Sequence, residues 1–103
     1  MKIIIAGAGA VGTHLAKLLS RERQDIYLMD ESEEKLSALS NNFDLMTVVA
    51  SPISIQALKD VGASDADLFI AVTPDESTNS MACMLARSLG AKKTVARIDK
   101  YEY

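Results

Sequence analysis

The 103-residue chain has a single cysteine, Cys83, which excludes an internal disulfide framework and suits a reducing compartment. Cys83 lies within an apolar helical stretch and reads as a small core residue, not a nucleophile. Basic charge is scarce too. Eleven Lys and Arg against fourteen Asp and Glu leave a net charge of −3, no footprint for nucleic acid. There is one histidine, His14, which reads as a helix-surface residue, and no cluster has metal-ligand spacing. No serine stands in a nucleophile-elbow pattern. No apolar run is long enough to span a bilayer, and the chain does not open on a basic segment followed by an apolar one. The expectation is a cytoplasmic protein with no direct membrane insertion. Low-complexity segments and Gly/Ser linkers are missing, so the chain reads as one domain. A hydrophobic content of 49% supplies a core and excludes a disordered chain.

What is present is concentrated in the first dozen residues. Lys2-Ile3-Ile4-Ile5-Ala6 is a β-branched, apolar run with the character of a buried strand. It leads into Gly7-Ala8-Gly9-Ala10-Val11-Gly12, after which residues 13–23 read as a helix. A glycine pattern alone is weak evidence; here a strand precedes it, a helix follows, and an acid, Asp30, closes the next apolar run. In such a loop Gly7 allows the tight turn and Gly9 lets a diphosphate approach the backbone. Gly12 lets helix and strand pack closely. The open N–H groups and positive end of the helix then face the phosphates. The alternative is a tight strand–helix turn with no ligand.

The remaining chain alternates short apolar runs with amphipathic helices. Val11, Leu15, Leu18 and Leu19 fall on one face of the first helix. Residues 25–30 form a second strand ending in Asp30, and Ser32 is placed to cap a helix with Leu36, Leu39 and Phe43 as its buried stripe. Residues 45–49 read as a third strand. Ala50-Ser51-Pro52 then turns into a short helix with Ile55, Leu58 and Val61 inside and Gly62 at its left-handed end. LFIAV, residues 68–72, is the fourth strand. Thr73-Pro74-Asp75-Glu76 predicts a helix start with Thr73 as N-cap, Pro74 at the first helical position and Glu76 closing a capping box. Met81, Met84, Leu85 and Leu89 are expected on the inner face of that helix, Gly90 at its end, and TVARI, residues 94–98, as the fifth strand.

Alternating β and α elements imply right-handed crossovers and a parallel sheet covered on both faces. The fold class expected is α/β, a Rossmann-like doubly wound parallel sheet of order 3-2-1-4-5. Ligand is expected outside the carboxyl ends of the strands, where the order reverses. The glycine loop, Asp30, Ser51 and Thr73 all fall at those ends. Residues 99–103 follow without a clear sixth βα unit, so the chain reads as a piece of a longer protein, cut before a sixth strand.

Asp30 lies eighteen positions after Gly12, where an acid meets an adenosine ribose. A charged hydrogen bond to a ribose hydroxyl contributes about 1.5–3 kcal/mol. A 2′-phosphate would be repelled by about 4 kcal/mol per charge pair at ~4 Å and a surface-like dielectric. No Arg or Lys stands next to Asp30 in the chain, and Glu31 adds negative charge, so an unphosphorylated ribose is favoured. NAD(H) fits, as do ATP and ADP; a solvated acid capping a loop is the alternative. Arg97 interrupts an apolar strand and serves a ligand phosphate, a partner subunit or a structural pair. The domain reads as a nucleotide binder with no visible reaction.

IIIAGAGAVGTHLAKLLS and DLFIAVTPDESTNSMACMLARSLGAKKTVARI, above all AVTPDESTN followed by a helix and VAR, resemble the RCK or KTN domains. These are the cytoplasmic nucleotide-binding regulators of potassium channels and transporters. The resemblance spans essentially the whole chain. It implies that Gly7, Gly9, Gly12 and Asp30 bind NAD(H) or an adenine nucleotide, with Ser51, Thr73 and Arg97 nearby. The full set of cofactor-binding candidates adds Ala8, Ala10, Val11, Glu31 and Pro52. The chain differs from many members at Ala10, where they carry a polar or charged residue, and at residues 50–53, where they read Gly-Asp-Ala-Thr. The family's usual sequence also continues past residue 103 with a helix and a strand. As implied by the resemblance, the partners are a membrane potassium transporter subunit and further copies of the chain, as a dimer or ring on the inner face of the cell membrane. Function is then nucleotide-sensing control of potassium uptake, without catalysis. The rival is the cofactor half of an NAD-dependent dehydrogenase, and a structural domain with a vestigial site comes third.

Overall fold

The computed structural model describes residues 1–39 and 43–98, and the opening apolar run forms its central strand. In chain order the elements are β1 (Lys2–Ala6), α1 (Ala10–Ser20), β2 (Asp25–Asp30), α2 (Glu33–Ser37) and β3 (Met46–Val49). These are followed by α3 (Ile55–Asp60), a 3-10 turn at Ala63–Asp65, β4 (Leu68–Ala71), α4 (Glu76–Leu89) and β5 (Thr94–Ala96). All pairings are parallel and the sheet order is β3-β2-β1-β4-β5, as expected from the sequence. Register places Ile5 between Leu28 and Ile70, and Ala6 between Met29 and Ala71.

Period-two alternation in β1 feeds two cores. Ile3 and Ile5 join Ala16, Ile26, Leu28, Leu36, Leu39, Ile70 and Val72 on the face covered by α1 and α2. Ile4 and Ala6 join Met29, Leu58, Phe69, Ala82, Cys83 and Ala86 on the face covered by α3 and α4. That is why β1 is apolar from Ile3 to Ala6: over those residues neither face meets water. At ~25 cal/mol per Å2 of apolar surface, full burial of each isoleucine contributes about 1.5–3 kcal/mol.

The helices differ from their sequence reading in position and in the stripe they bury. α1 runs from Ala10 to Ser20, not over residues 13–23, because Gly9 takes the extended N-cap position and the left-handed Arg23 (φ +59°) lies in the turn beyond the helix. Its buried positions are Gly12 and Ala16, with Leu15 and Leu19 packed beside them, whereas Val11 and Leu18 are exposed at 41% and 45%. In α4 the buried residues are Asn79, Ala82, Cys83 and Ala86; Met81 and Met84 face outward. Small residues bring each helix close to the sheet; Leu85 and Leu89, like Leu15 and Leu19, pack at the margin of the contact, and Val11, Leu18, Met81 and Met84 turn away. Ile55 of α3 is likewise exposed, while Leu58 and Val61 are buried. α2 is a short helix, and Phe43, expected on its stripe, lies beyond it, half-buried against the α1–α2 core.

β3 begins at Met46, β4 ends at Ala71 and β5 at Ala96, each shorter than the apolar run containing it. Gly62 (φ +79°) and Gly90 (φ +125°) occupy the left-handed ends expected of them. Cys83 is a buried core thiol donating to the Val95 carbonyl at 3.4 Å, and burial pushes its pKa up despite an opposing backbone hydrogen bond at Ala71. His14 is exposed on α1. The expectation of a missing sixth βα unit falls on residues 99–103, outside the described residues.

Candidate nucleotide site at the carboxyl edge

Where β1 and β4 part, their crossovers leave in opposite directions and the carboxyl edge opens. The glycine loop crosses this gap. Gly7 donates its N–H to the Met29 carbonyl at 2.8 Å and has φ +117°, and a side chain there would press on the Thr73 N–H and the Val72 carbonyl. Gly12 sits one turn into α1, where a Cβ would overlap the Gly7 carbonyl oxygen. Gly9 differs: a Cβ there would meet nothing within 4 Å. The first and third glycines are therefore demanded by the fold itself. The second faces open space, and no side chain caps the α1 N-terminus behind it.

Asp30 at the end of β2 is fastened to the loop. Its Oδ2 accepts the Ala8 N–H at 2.8 Å and its Oδ1 accepts the Ser32 N–H at 2.8 Å. Each oxygen keeps acceptor capacity for a further donor. The Ala8 amide, by contrast, is already engaged. Backbone N–H groups open to an anion are those of the first α1 turn, at its positive end.

Beside this loop lies a cleft of about 270 Å3. One wall is Gly7, Met29, Asp30, Glu31 and Lys35; the other is Pro52, Thr73, Pro74, Asp75 and Thr78. Five sequence candidates thus share one cavity: Gly7, Asp30, Glu31, Pro52 and Thr73. Ala8 touches it through Asp30. Gly9, Ala10, Val11 and Gly12 form the adjacent loop and helix start without lining the cavity. Ser51 does not line it either; its hydroxyl accepts the Ile53 N–H at 3.3 Å and shapes the turn that buries Pro52. Arg97 lies half-buried at the end of β5, outside the cavity wall.

Two expectations change here. The sequence placed no cation beside Asp30, yet Lys35 lines the same cleft, because α2 begins three residues after Asp30 and turns back over it. The helix start at Thr73 also differs. Asp75 is the N-cap, accepting the Ser77 N–H at 3.1 Å and the Thr78 hydroxyl at 2.8 Å, and α4 begins at Glu76. Thr73 stands before the cap: its hydroxyl accepts the Asp75 N–H at 3.3 Å and donates to Asn79 Oδ1 at 2.6 Å. Asn79, which the sequence reading did not single out, is 1% exposed. Its only sequence signal was its place in the AVTPDESTN segment.

Among the described residues no group of three or more His, Cys, Asp or Glu is placed to hold a metal ion. Among the same residues no helix is long and apolar enough to cross a membrane.

Topology, glycine loop and edge cleft together define a doubly wound domain of the Rossmann-like class. Comparison with known proteins narrows this. The TrkA-N domain family matches residues 3–103, and the chain belongs to that family. It is 46% identical over its whole length to the Trk system potassium uptake protein TrkA of Haemophilus influenzae and 41% identical to that of Vibrio alginolyticus. In each case the chain spans 23% of the relative's length. Among solved structures, the NAD(P)-binding domain of an exopolyphosphatase-related protein from Archaeoglobus fulgidus superposes with a TM-score of 0.83 at 19% identity, over 95% of this chain and 73% of that one. The Kef C-terminal domain of Shewanella denitrificans in its AMP-bound form gives 0.74 at 21% identity, over 92% and 57%. These structural likenesses concern the fold.

Proposed function

We propose that this chain is the nucleotide-sensing domain of a Trk-type potassium uptake regulator, binding NAD(H), or ATP or ADP, in the cleft beside the glycine loop. The observation that carries the reading is the pairing of an open Gly9 with an oriented Asp30 at the switch point of the sheet. A diphosphate lies against Gly9 and the first turn of α1, with its charge on the helix N-terminus. The adjoining ribose meets Asp30, whose carboxylate is held in place before ligand arrives and so loses little freedom on binding.

Of the titratable side chains at the cleft, Asp30 is held by two backbone N–H groups, and Glu31 and Lys35 stand on the wall with no substrate-orienting partner in this reading. Thr73 and Thr78 are hydroxyls, and Asp75 is spent on capping α4. In this reading binding energy serves an equilibrium instead of a reaction. A ligand shifts two assemblies by its differential affinity for them, and about 1–3 kcal/mol is enough for regulation. In this reading further copies of the chain and a membrane potassium transporter subunit are the partners, on the cytoplasmic side. The chain forms one domain of a longer regulator, as the 23% span of its relatives accords with.

Titration of the protein with NADH, NAD, ATP and ADP tests the binding step. Potassium flux through the reconstituted full-length complex, with each nucleotide in turn, tests the regulatory step. Binding with a nucleotide-dependent flux is expected. Identical flux with and without every nucleotide would refute regulation, and hydride transfer from NADH to a substrate would favour a dehydrogenase.

A further inference from the structure

Thr73 forms part of the cleft wall, but what holds it lies behind the wall. Asn79 Oδ1 accepts the Thr73 N–H at 2.9 Å and the Thr73 hydroxyl at 2.6 Å. Asn79 Nδ2 donates to the Thr73 carbonyl at 2.9 Å and to the Arg97 carbonyl at 3.1 Å. A backbone N–H only donates and a carbonyl only accepts, so the orientation of this amide is dictated by its partners. Asn79 is the buried polar residue among those described, and every polar atom of its side chain is used.

The two residues it joins occupy equivalent places. Thr73 follows the end of β4 and Arg97 follows the end of β5, where the Arg97 N–H makes the last rung of the β4–β5 ladder to Ala71 at 2.9 Å. Moving Thr73 without Asn79 would strand buried donors and acceptors, which is costly where water cannot replace them. Strand ends joined in this way keep one spacing.

We infer that Asn79 is a positioning residue that couples occupancy of the cleft at Thr73 to the segment leaving β5 at Arg97. The inference rests on the nucleotide reading above. Ligand against Thr73 restricts Thr73, Asn79 transmits the restriction, and the Arg97 rung opens less often. The route joins the cleft to the exit of the chain from the sheet, whichever nucleotide occupies it.

Amide hydrogen exchange with and without saturating NADH, read at Arg97 and in the glycine loop, tests this alongside calorimetry. In the wild type, NADH should slow exchange at Gly9 and Val11 and slow Arg97 by about fivefold, the equivalent of one net hydrogen bond. In Asn79→Ala the loop should still respond to saturating NADH while Arg97 does not. Thr73→Ser keeps all four bonds and should retain the coupling. Slowing of Arg97 in Asn79→Ala equal to wild type would overturn the inference. So would a wild-type Arg97 indifferent to NADH while the loop responds, an outcome that leaves the nucleotide reading standing and needs no variant to fold. Where NADH does not bind, the same exchange experiment is run with ATP or ADP; absence of binding by NADH, NAD, ATP and ADP alike would overturn the nucleotide reading and the coupling with it.

Discussion

Substitution of the three loop glycines should separate the demands of the fold from those of a ligand. Gly9 has φ −78° and ψ −164°, a conformation open to any residue, and an added Cβ projects into open space. Gly9→Ala gains about 0.4–1 kcal/mol by restricting the unfolded chain. It loses roughly half a kcal/mol because alanine is a poorer N-cap than glycine. These nearly cancel, so the melting temperature should stay within about 4 °C of wild type for a domain of this size. Gly7→Ala has no such escape. Its φ of +117° costs about 1–3 kcal/mol for a residue with a Cβ, and that atom would lie 2.9 Å from the Thr73 nitrogen. A fall of roughly 5–20 °C follows. Gly12→Ala, whose Cβ overlaps the Gly7 carbonyl, should be worse still. Binding should sort differently. Gly9→Val fills the space proposed for the diphosphate and should abolish NADH binding in calorimetry with the helix content kept. Wild-type titration by Gly9→Val would remove the phosphate from this loop, and a melting loss in Gly9→Ala equal to that in Gly7→Ala would refute the geometric argument.

Lys35 and Asp30 face one cleft with opposite charges, so they should move ribose selectivity in opposite directions. At ~8 Å and an effective dielectric of ~20 one charge contributes about 2 kcal/mol, which salt reduces to about tenfold in affinity. Lys35→Ala should widen the preference for NADH over NADPH by about that factor and Asp30→Ala should narrow it; an unchanged ratio in both would take the ribose away from this wall. At the opposite edge, the Lys2 N–H at 2.8 Å, and secondarily Lys92 at 3.1 Å, hold the Asp67 carboxyl below the usual carboxylate range. A depressed folded value means that the contribution to stability is complete above the ordinary carboxylate pKa and is lost as pH falls through the folded one. Urea midpoints of wild type and Asp67→Asn should converge as pH drops toward about 2, and a constant gap would show that Asp67 gains nothing from its charge.

The fold was legible because its signals are local. Each strand announced itself by a short apolar run and each helix by the amphipathic stretch between two of them, and alternation then left little freedom in topology. Ser32 at the start of α2 and Gly62 at the end of α3 act as their residue types dictate. The buried faces were less legible. Periodicity in α4 offers a stripe of Met81, Met84, Leu85 and Leu89 and another of Asn79, Ala82, Cys83 and Ala86, and the first is the more hydrophobic. Close approach to the sheet gave the centre of the contact to the second, because small side chains fit between a helix and the pleat; Leu85 and Leu89 pack at its margin and the two methionines turn outward. Asn79 illustrates the same limit from the polar side. A lone asparagine in a helix reads as a solvent residue until the Arg97 carbonyl, eighteen positions later, is brought to its amide.

Asp30 shows how a residue that satisfies a motif can also hold the fold together. The glycine pattern assigns the carboxylate to a ribose and the loop amides to a phosphate, as though each awaited a ligand. In the folded chain the Ala8 amide is already bound to Asp30, and Ser32 takes the other oxygen. The carboxylate thus holds the loop to β2 and the start of α2 to the same point. Three consequences follow from that geometry. The loop is shaped before any nucleotide enters, so binding need not order it. Under the proposed nucleotide reading a phosphate would lie beyond Ala8, toward Gly9 and the α1 N-terminus, where side-chain space is empty. And under that reading a ribose hydroxyl donating to Asp30 would join a carboxylate already shared by two backbone N–H groups, so that occupancy of the cleft would be felt at once by the glycine loop and by α2, which carries Lys35.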